Sequence, residues 1–334
     1  TGHSLVYPGL NYLLFAGLEQ LGITDPNVKM YFNRLLHALY SLLIVSGVYH
    51  LGRSLKAELA GRYSALILAV LWVMPFLSVR NLIELVCIPP LLYGMVFVVQ
   101  AQTRPRQQAW QYLFLSGLLM GFAFSFRYQS LLITGGVGLA LLLQQPFRKP
   151  LLFGLSALLG ILLLQGTVDW AVWGYPFAAL ESYIDYNLTH ANDGSYPSGP
   201  IYNYILVLGG LLIPPLGFFL LFGAGYIARR KALLVLVLPT FVFFAFHSLF
   251  PNKQERFILP IFPFVVLLGV MGWQAWLARS RFWQHREPLW RGILYWTAAV
   301  NLILLVLFST YYTKKTRVEA MRYLGQDQIG RAHV

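Results

Sequence analysis

Long apolar runs recur along nearly the whole of this 334-residue chain, and that recurrence constrains the fold more than any motif does. About 20 apolar residues in a row cross a bilayer as a helix, and within hydrocarbon the backbone must satisfy its own hydrogen bonds. About ten such runs are present, at roughly 34–51, 63–79, 82–100, 111–126, 129–144, 151–173, 202–226, 232–248, 257–277 and 292–312. Only Arg127-Tyr128-Gln129 separates the fourth from the fifth. Hydrophobic residues make up 57% of the chain and charged ones 11%, too few to cover a soluble surface. The predicted fold class is therefore all-α, a polytopic membrane bundle with about ten transmembrane helices.

The net charge of +13 would suggest a nucleic-acid footprint, but its distribution excludes that reading. Basic residues alternate by loop: Arg53, Lys56 and Arg62, then Arg104 and Arg106, then Arg148 and Lys149, then Arg229, Arg230 and Lys231, then Arg279, Arg281, Arg286 and Arg291. Short loops rich in Lys and Arg stay in the cytoplasm, so these are predicted to be cytoplasmic. The intervening loops hold most of the acids, among them Glu19, Asp25, Glu84, Asp169, Glu181, Asp185 and Glu255. Polar chemistry is therefore expected on the extracytoplasmic face of a multi-pass integral membrane protein. Membrane lipids are the expected surroundings, with no nucleic-acid partner.

Residues 1–32 read as the remainder of an external loop, amphipathic to Gln20 and turning at Thr24-Asp25-Pro26, where Asp25 or Thr24 suits a helix cap. The core is predicted over 33–312, with its largest external loop at 174–200. There Phe177, Leu180, Tyr183 and Ile184 fall at helical spacing and Asn192–Pro200 is turn chemistry. Residues 313–328 read as the start of a truncated external C-terminal region. The last six residues, 329–334, resemble a translated sequencing adapter and are set aside as an artefact. Cys87 stands alone, so no internal disulfide forms.

The densest polar cluster is Asn252-Lys253-Gln254-Glu255-Arg256, at the mouth of an apolar run. Charge beside hydrocarbon is costly and usually faces a site. Lys253 and Arg256 can bind a phosphate, Arg bidentately, with Glu255 orienting one of them and Asn252 in support. Interfacial snorkelling towards headgroups explains the same charges. Arg80 and Glu84 stand four apart on one helical face, as a local ion pair or as part of a site. Arg127 sits alone between two spans, where a functional role outweighs a decorative one. Asp169, followed by Trp170, Trp173 and Tyr175, suits either a sugar-facing acid on an aromatic platform or an interfacial aromatic belt. His37, His50 and His247 lack partners at metal-ligand spacing, and no Walker or dinucleotide motif occurs. No metal and no cofactor are therefore expected.

In order along the chain, these segments resemble the GT-C glycosyltransferases of family 22, the polyprenyl- or dolichyl-phosphate-mannose-dependent enzymes of GPI-anchor and N-glycan assembly. The segments are Tyr7-Pro8, Asn33–Ser41, Arg80–Glu84, Gly121–Arg127, Asp169–Gly174 with Tyr186-Asn187, Gly199-Pro200 and Tyr202, and finally Asn252–Pro260. The last is similar to the family's His-Lys-Glu-Glu-Arg-Phe signature, with Asn252 and Gln254 standing for His and the first Glu. The resemblance implies a GT-C bundle that moves a hexose, mannose above all, from a polyprenyl-phosphate donor. The acceptor would be a lipid-linked glycan or glycolipid, glycosylated with inversion on the extracytoplasmic face. With such a donor, the charges single out Lys253 and Arg256, and after them Arg127 and Arg80, as candidates for its phosphate, with Glu255, Asn252, Glu84 and Asp169 as candidates for supporting or sugar-contacting roles. The family's general base is an acid in the first external loop, which this chain would carry upstream of Thr1. A bacterial inner membrane is favoured over the endoplasmic reticulum. The rival class is a transporter or flippase of a lipid-linked saccharide, which needs no base.

Overall fold

The computed structural model describes residues 3–189 and 198–311, with 316 and 319 as isolated positions. The stretches predicted as an external C-terminal region and as an adapter artefact lie outside the described residues, apart from those two positions. Among the described residues the chain is helical, with one isolated β-bridge between Ser198 and Asn252. Helix α1 (Val6–Gln20) precedes the first span, α2 (Pro26–Ser54), whose N-terminus is capped by the Asp25 carboxylate accepting from the Asn27 N–H at 2.7 Å. Then come α3 (Glu58–Val70), α4 (Val73–Ser78), α5 (Ile83–Ala101), α6 (Arg106–Phe126) and α7 (Tyr128–Gln144). The second half holds α8 (Arg148–Trp173), α9 (Ala178–Thr189), α10 (Asn203–Leu211), α11 (Leu216–Ile227) and α12 (Lys231–Leu249). The last three are α13 (Glu255–Leu277), α14 (Arg281–Gln284) and α15 (Glu287–Thr310).

Seven of these helices are long and apolar enough to cross a membrane: α2, α5, α6, α8, α12, α13 and α15. The multi-pass helical architecture is as expected, but three of the ten predicted spans are not single long helices. The run at 63–79 breaks between α3 and α4, because the Pro75 ring would collide with the Leu71 carbonyl four residues back. The run at 202–226 breaks at Pro214-Pro215 between α10 and α11, where two successive residues lack an N–H donor. The run at 129–144 starts in a tight 3-10 turn and leaves α7 short.

Broken backbone inside hydrocarbon needs partners, and α15 supplies them. Asn301 on α15 accepts from the Trp72 N–H at 2.8 Å and donates to the Val70 carbonyl at 2.8 Å. Trp296 donates its indole N–H to the Pro214 carbonyl at 3.1 Å.

Packing runs through helix pairs, α6 on α8, α11 on α13, α5 on α6, α2 on α3 and α7 on α12. Most of these pairs close over a glycine. A Cβ on Gly121 would stand 2.2 Å from the Ala157 carbonyl oxygen of α8, and one on Gly272 1.8 Å from that of Gly223 of α11. Lipid tails are as apolar as leucine, so such close approach supplies association that the hydrophobic effect cannot. The most buried spans are α5 and α13, and their Ile83 and Glu255 ends meet to form the site described next.

Candidate active site

Three chain breaks bring three charges together. Helix α6 ends at Phe126, and Arg127 takes an extended conformation that turns the chain into α7. Glu84 lies in the first turn of α5, where the helix dipole favours an acid. Arg256 lies in the first turn of α13, after the irregular stretch 250–254. Arg127 Nη1 meets Glu84 Oε1 at 2.7 Å, and both side chains are only 2% exposed. Arg256 Nε approaches the same oxygen at 3.5 Å from a half-exposed position, and donates to Gln254 Oε1 at 2.9 Å. Both guanidinium groups stand near the Phe257 ring, 5.1 and 5.8 Å from its centroid. One buried carboxylate thus holds two cations, leaving a net single positive charge.

These groups open onto a cavity of about 670 Å³. Its other walls come from the chain start (His3, Ser4, Tyr7), from Asn81, and from α9 (Tyr183, Tyr186, Asn187). Ser4 ties the chain start down, its hydroxyl lying 2.6 Å from the Ser125 carbonyl and 2.7 Å from Gln165 Oε1. Tyr7 bonds His37 Nε2 of α2 at 2.6 Å, and burial raises its phenol to about 12, so it stays neutral. Gln129 hydrogen-bonds the Tyr183 hydroxyl. Tyr7 and Phe126 also line an adjoining apolar groove of about 450 Å³ between α1 and α2.

The residues singled out from the sequence do not all gather here. Arg127, Arg256, Glu84 and Asn252 line the cavity. Lys253 does not: it is buried, and its ammonium donates to the carbonyls of His247 at 2.8 Å, Ser248 at 2.6 Å and Phe250. It closes the C-terminal end of α12, and burial lowers its pKa. Glu255 is exposed outside the cavity lining, and the carboxylate beside Arg256 is Glu84. Arg80 does not pair with Glu84 as their spacing suggested. It lies with Arg34 in a neighbouring cavity of about 410 Å³, its guanidinium 3.8 Å from the Phe76 ring centroid. Asp169 is fully buried away from the cavity lining, and its Oδ2 accepts from the Ala179 N–H at 3.2 Å. It therefore caps α9, the helix that brings Tyr183, Tyr186 and Asn187 to the cavity wall. A π-helical turn at Leu162–Gly166 sets the phase of Asp169 and Gln165 on α8.

The wall residues of α9 were not anticipated as site residues, although Tyr183, Tyr186 and Asn187 form a polar stripe at helical spacing. Gln254 stands inside the polar cluster 252–256 but was given no role of its own there, and nothing local marks His3. Among the described residues no three His, Cys, Asp or Glu side chains cluster as a metal site would require.

A sequence model of the Alg9-like mannosyltransferase family matches residues 3–332. A search of curated proteins finds no significant match. Among solved structures, the fold is similar to ArnT from Cupriavidus metallidurans bound to undecaprenyl phosphate. The identity is 15% and the TM-score 0.62, over 90% of this chain and 59% of that one. ArnT in the apo state matches at 17% identity and a TM-score of 0.59, over 82% of this chain and 50% of that one. The chain thus spans little more than half the length of the solved structures it resembles.

Proposed function

The chain belongs to the Alg9-like mannosyltransferase family, and from that premise we propose that it is a glycosyltransferase moving a hexose, most simply mannose, from a polyprenyl-phosphate donor. The acceptor would be a hydroxyl of a lipid-linked glycan or glycolipid at the extracytoplasmic face. The observation that carries this reading is the meeting of Arg127 and Arg256 on buried Glu84 at the wall of a cavity of about 670 Å³. The solved relative's polyprenyl-phosphate ligand agrees with it.

The chemistry follows from charge. The donor is a phosphodiester carrying one negative charge, matched by the net single positive charge of the site. As the anomeric C–O bond breaks, the pair of electrons stays on the phosphate oxygen, which becomes a monoester of higher charge. Fixed guanidinium donors stabilise that developing charge more than the starting diester. Attack by the acceptor oxygen from the opposite face forms the new glycosidic bond with inversion, and its proton passes to a general base. Glu84 is not assigned that role, because two arginines share its carboxylate. Arg127 is held rigidly by burial, whereas Arg256 is half-exposed and free to turn from Glu84 towards a phosphate. The groove beside Tyr7 suits the first isoprene units. Lys253 and Asp169 are read as positioning residues, Lys253 for the 250–256 segment and Asp169 for α9. Asn252 is a candidate sugar contact, and Arg80 contributes long-range positive potential.

The test is transfer of labelled mannose from polyprenyl-phosphate mannose to a glycolipid acceptor by the purified protein in detergent. Product with the inverted linkage supports the reading. Movement of lipid-linked saccharide across a vesicle membrane with no new glycosidic bond overturns it in favour of a flippase.

A further inference from the structure

A second polar cavity lies at the other end of the same two helices. It measures about 480 Å³ and is lined by His50, Arg53 and Ser54 at the end of α2, Gln100 at the end of α5, and Thr103 and Arg104 beyond it. Asn33 of α2, hydrogen-bonded to Asn81 at the first cavity, lies 20 residues from Arg53, about 30 Å along a helix. That is the thickness of a bilayer's hydrocarbon core. The two cavities therefore open at opposite membrane interfaces.

The cleft carries two guanidinium groups and no carboxylate in its lining. Among the described residues neither Arg53 nor Arg104 has a carboxylate within ion-pair distance. Arg62 and Arg291, by contrast, hold Glu58 and Glu287 at 2.7 Å. The nearby acid Glu58 is already engaged by Arg62 and Tyr49. Arg104 is steadied by the Tyr112 ring, 5.8 Å from its centroid, and the Gln100 amide is turned to Ser54 Oγ at 3.1 Å. Like charges facing one cleft repel unless an anion joins them, and the forked geometry of arginine matches phosphate oxygens. At a membrane interface the available phosphate belongs to lipid headgroups, and basic pockets between spans favour anionic ones.

We propose that this cleft binds the phosphate of an anionic phospholipid in the leaflet opposite the Arg127–Glu84–Arg256 cavity, bridging the ends of α2 and α5. A zwitterionic headgroup fits less well, because its own cation would face the two arginines.

Native mass spectrometry of the full chain in detergent tests this, with phosphatidylglycerol and phosphatidylcholine of identical acyl chains as probes. Phosphatidylglycerol is expected to bind about tenfold more tightly. The R53Q/R104Q protein should lose that preference, and the R229Q/R230Q protein, which sheds the same charge elsewhere, should keep it. Both cleft arginines are exposed, so the double variant should fold; should it not, R53Q and R104Q singly must each reduce the preference. An unchanged preference in R53Q/R104Q overturns the proposal, as does an equal loss in R229Q/R230Q. Thermal unfolding separates the two sources of phosphate. If inorganic phosphate raises the wild-type Tm as phosphatidylglycerol does, and R53Q/R104Q abolishes that rise, the ligand is soluble phosphate and the lipid assignment falls.

Discussion

Helices α13 and α15 are both long, apolar spans that a hydropathy reading treats alike, yet 83% of α13's most apolar window is buried inside the protein and only 6% of α15's. Apolarity therefore says that a helix enters the membrane and nothing about which side of it meets protein. Small residues and polar partners make that second choice. Helix α13 carries Gly269 and Gly272, which let the backbone of α11 approach to a distance no side chain would allow. Helix α15 touches the bundle mainly through α4 and α11, and bonds the broken backbone there with Asn301 and Trp296. Only α13 leads into the cavity, with Arg256 in its first turn.

That contrast can be broken by substitution. The largest effect is expected for Gly272→Leu, whose side chain has no room against Gly223. The folded protein should fail to accumulate, as seen by size-exclusion chromatography in detergent, and a normal monodisperse peak would refute the close α11–α13 packing. Glu84→Ala leaves the buried charge of Arg127 without its carboxylate and should cost about 3–5 kcal/mol, read as a large fall in thermal stability. Arg256→Ala removes a half-exposed cation, so stability should hold while transfer falls about a hundredfold, near 2.7 kcal/mol of transition-state stabilisation. Unchanged kinetics would take Arg256 out of the site.

On α15 the expected losses are smaller. Asn301→Leu orphans the Trp72 N–H and the Val70 carbonyl and should cost about 1–2 kcal/mol in thermal unfolding. Leu302→Ala, beside it but facing outward, should stay within about 0.5 kcal/mol. A larger loss at Leu302 would mean that α15 is buried by something outside the described chain.

Much of the site was legible because charge beside hydrocarbon is conspicuous. Arg127 stood out as an isolated cation between two spans, and Arg256 as part of a polar cluster at a span's mouth. Their shared partner was not legible. Glu84 is 43 residues from Arg127 and 172 from Arg256 (127 − 84 and 256 − 84), and its nearest cation in sequence, Arg80, lies in another cavity. Lys253 shows the converse. Its charge suggested a phosphate ligand, but the chain bends so that its three N–H donors meet three orphan carbonyls at the end of α12. Asp169 was conspicuous as an acid in an apolar run. That it caps α9 depends on a turn ten residues later, which spacing does not reveal.

A helical membrane bundle with charge concentrated at the ends of its spans follows from residue order alone, because desolvation and backbone satisfaction act on each segment separately. Residue order also marked the arginines worth watching. Which helices are wrapped by protein and which acid holds which cation emerge only once the helices pack. Those outcomes depend on contacts between distant segments, where fit at a glycine or a single 2.7 Å ion pair outweighs anything a local window of residues contains.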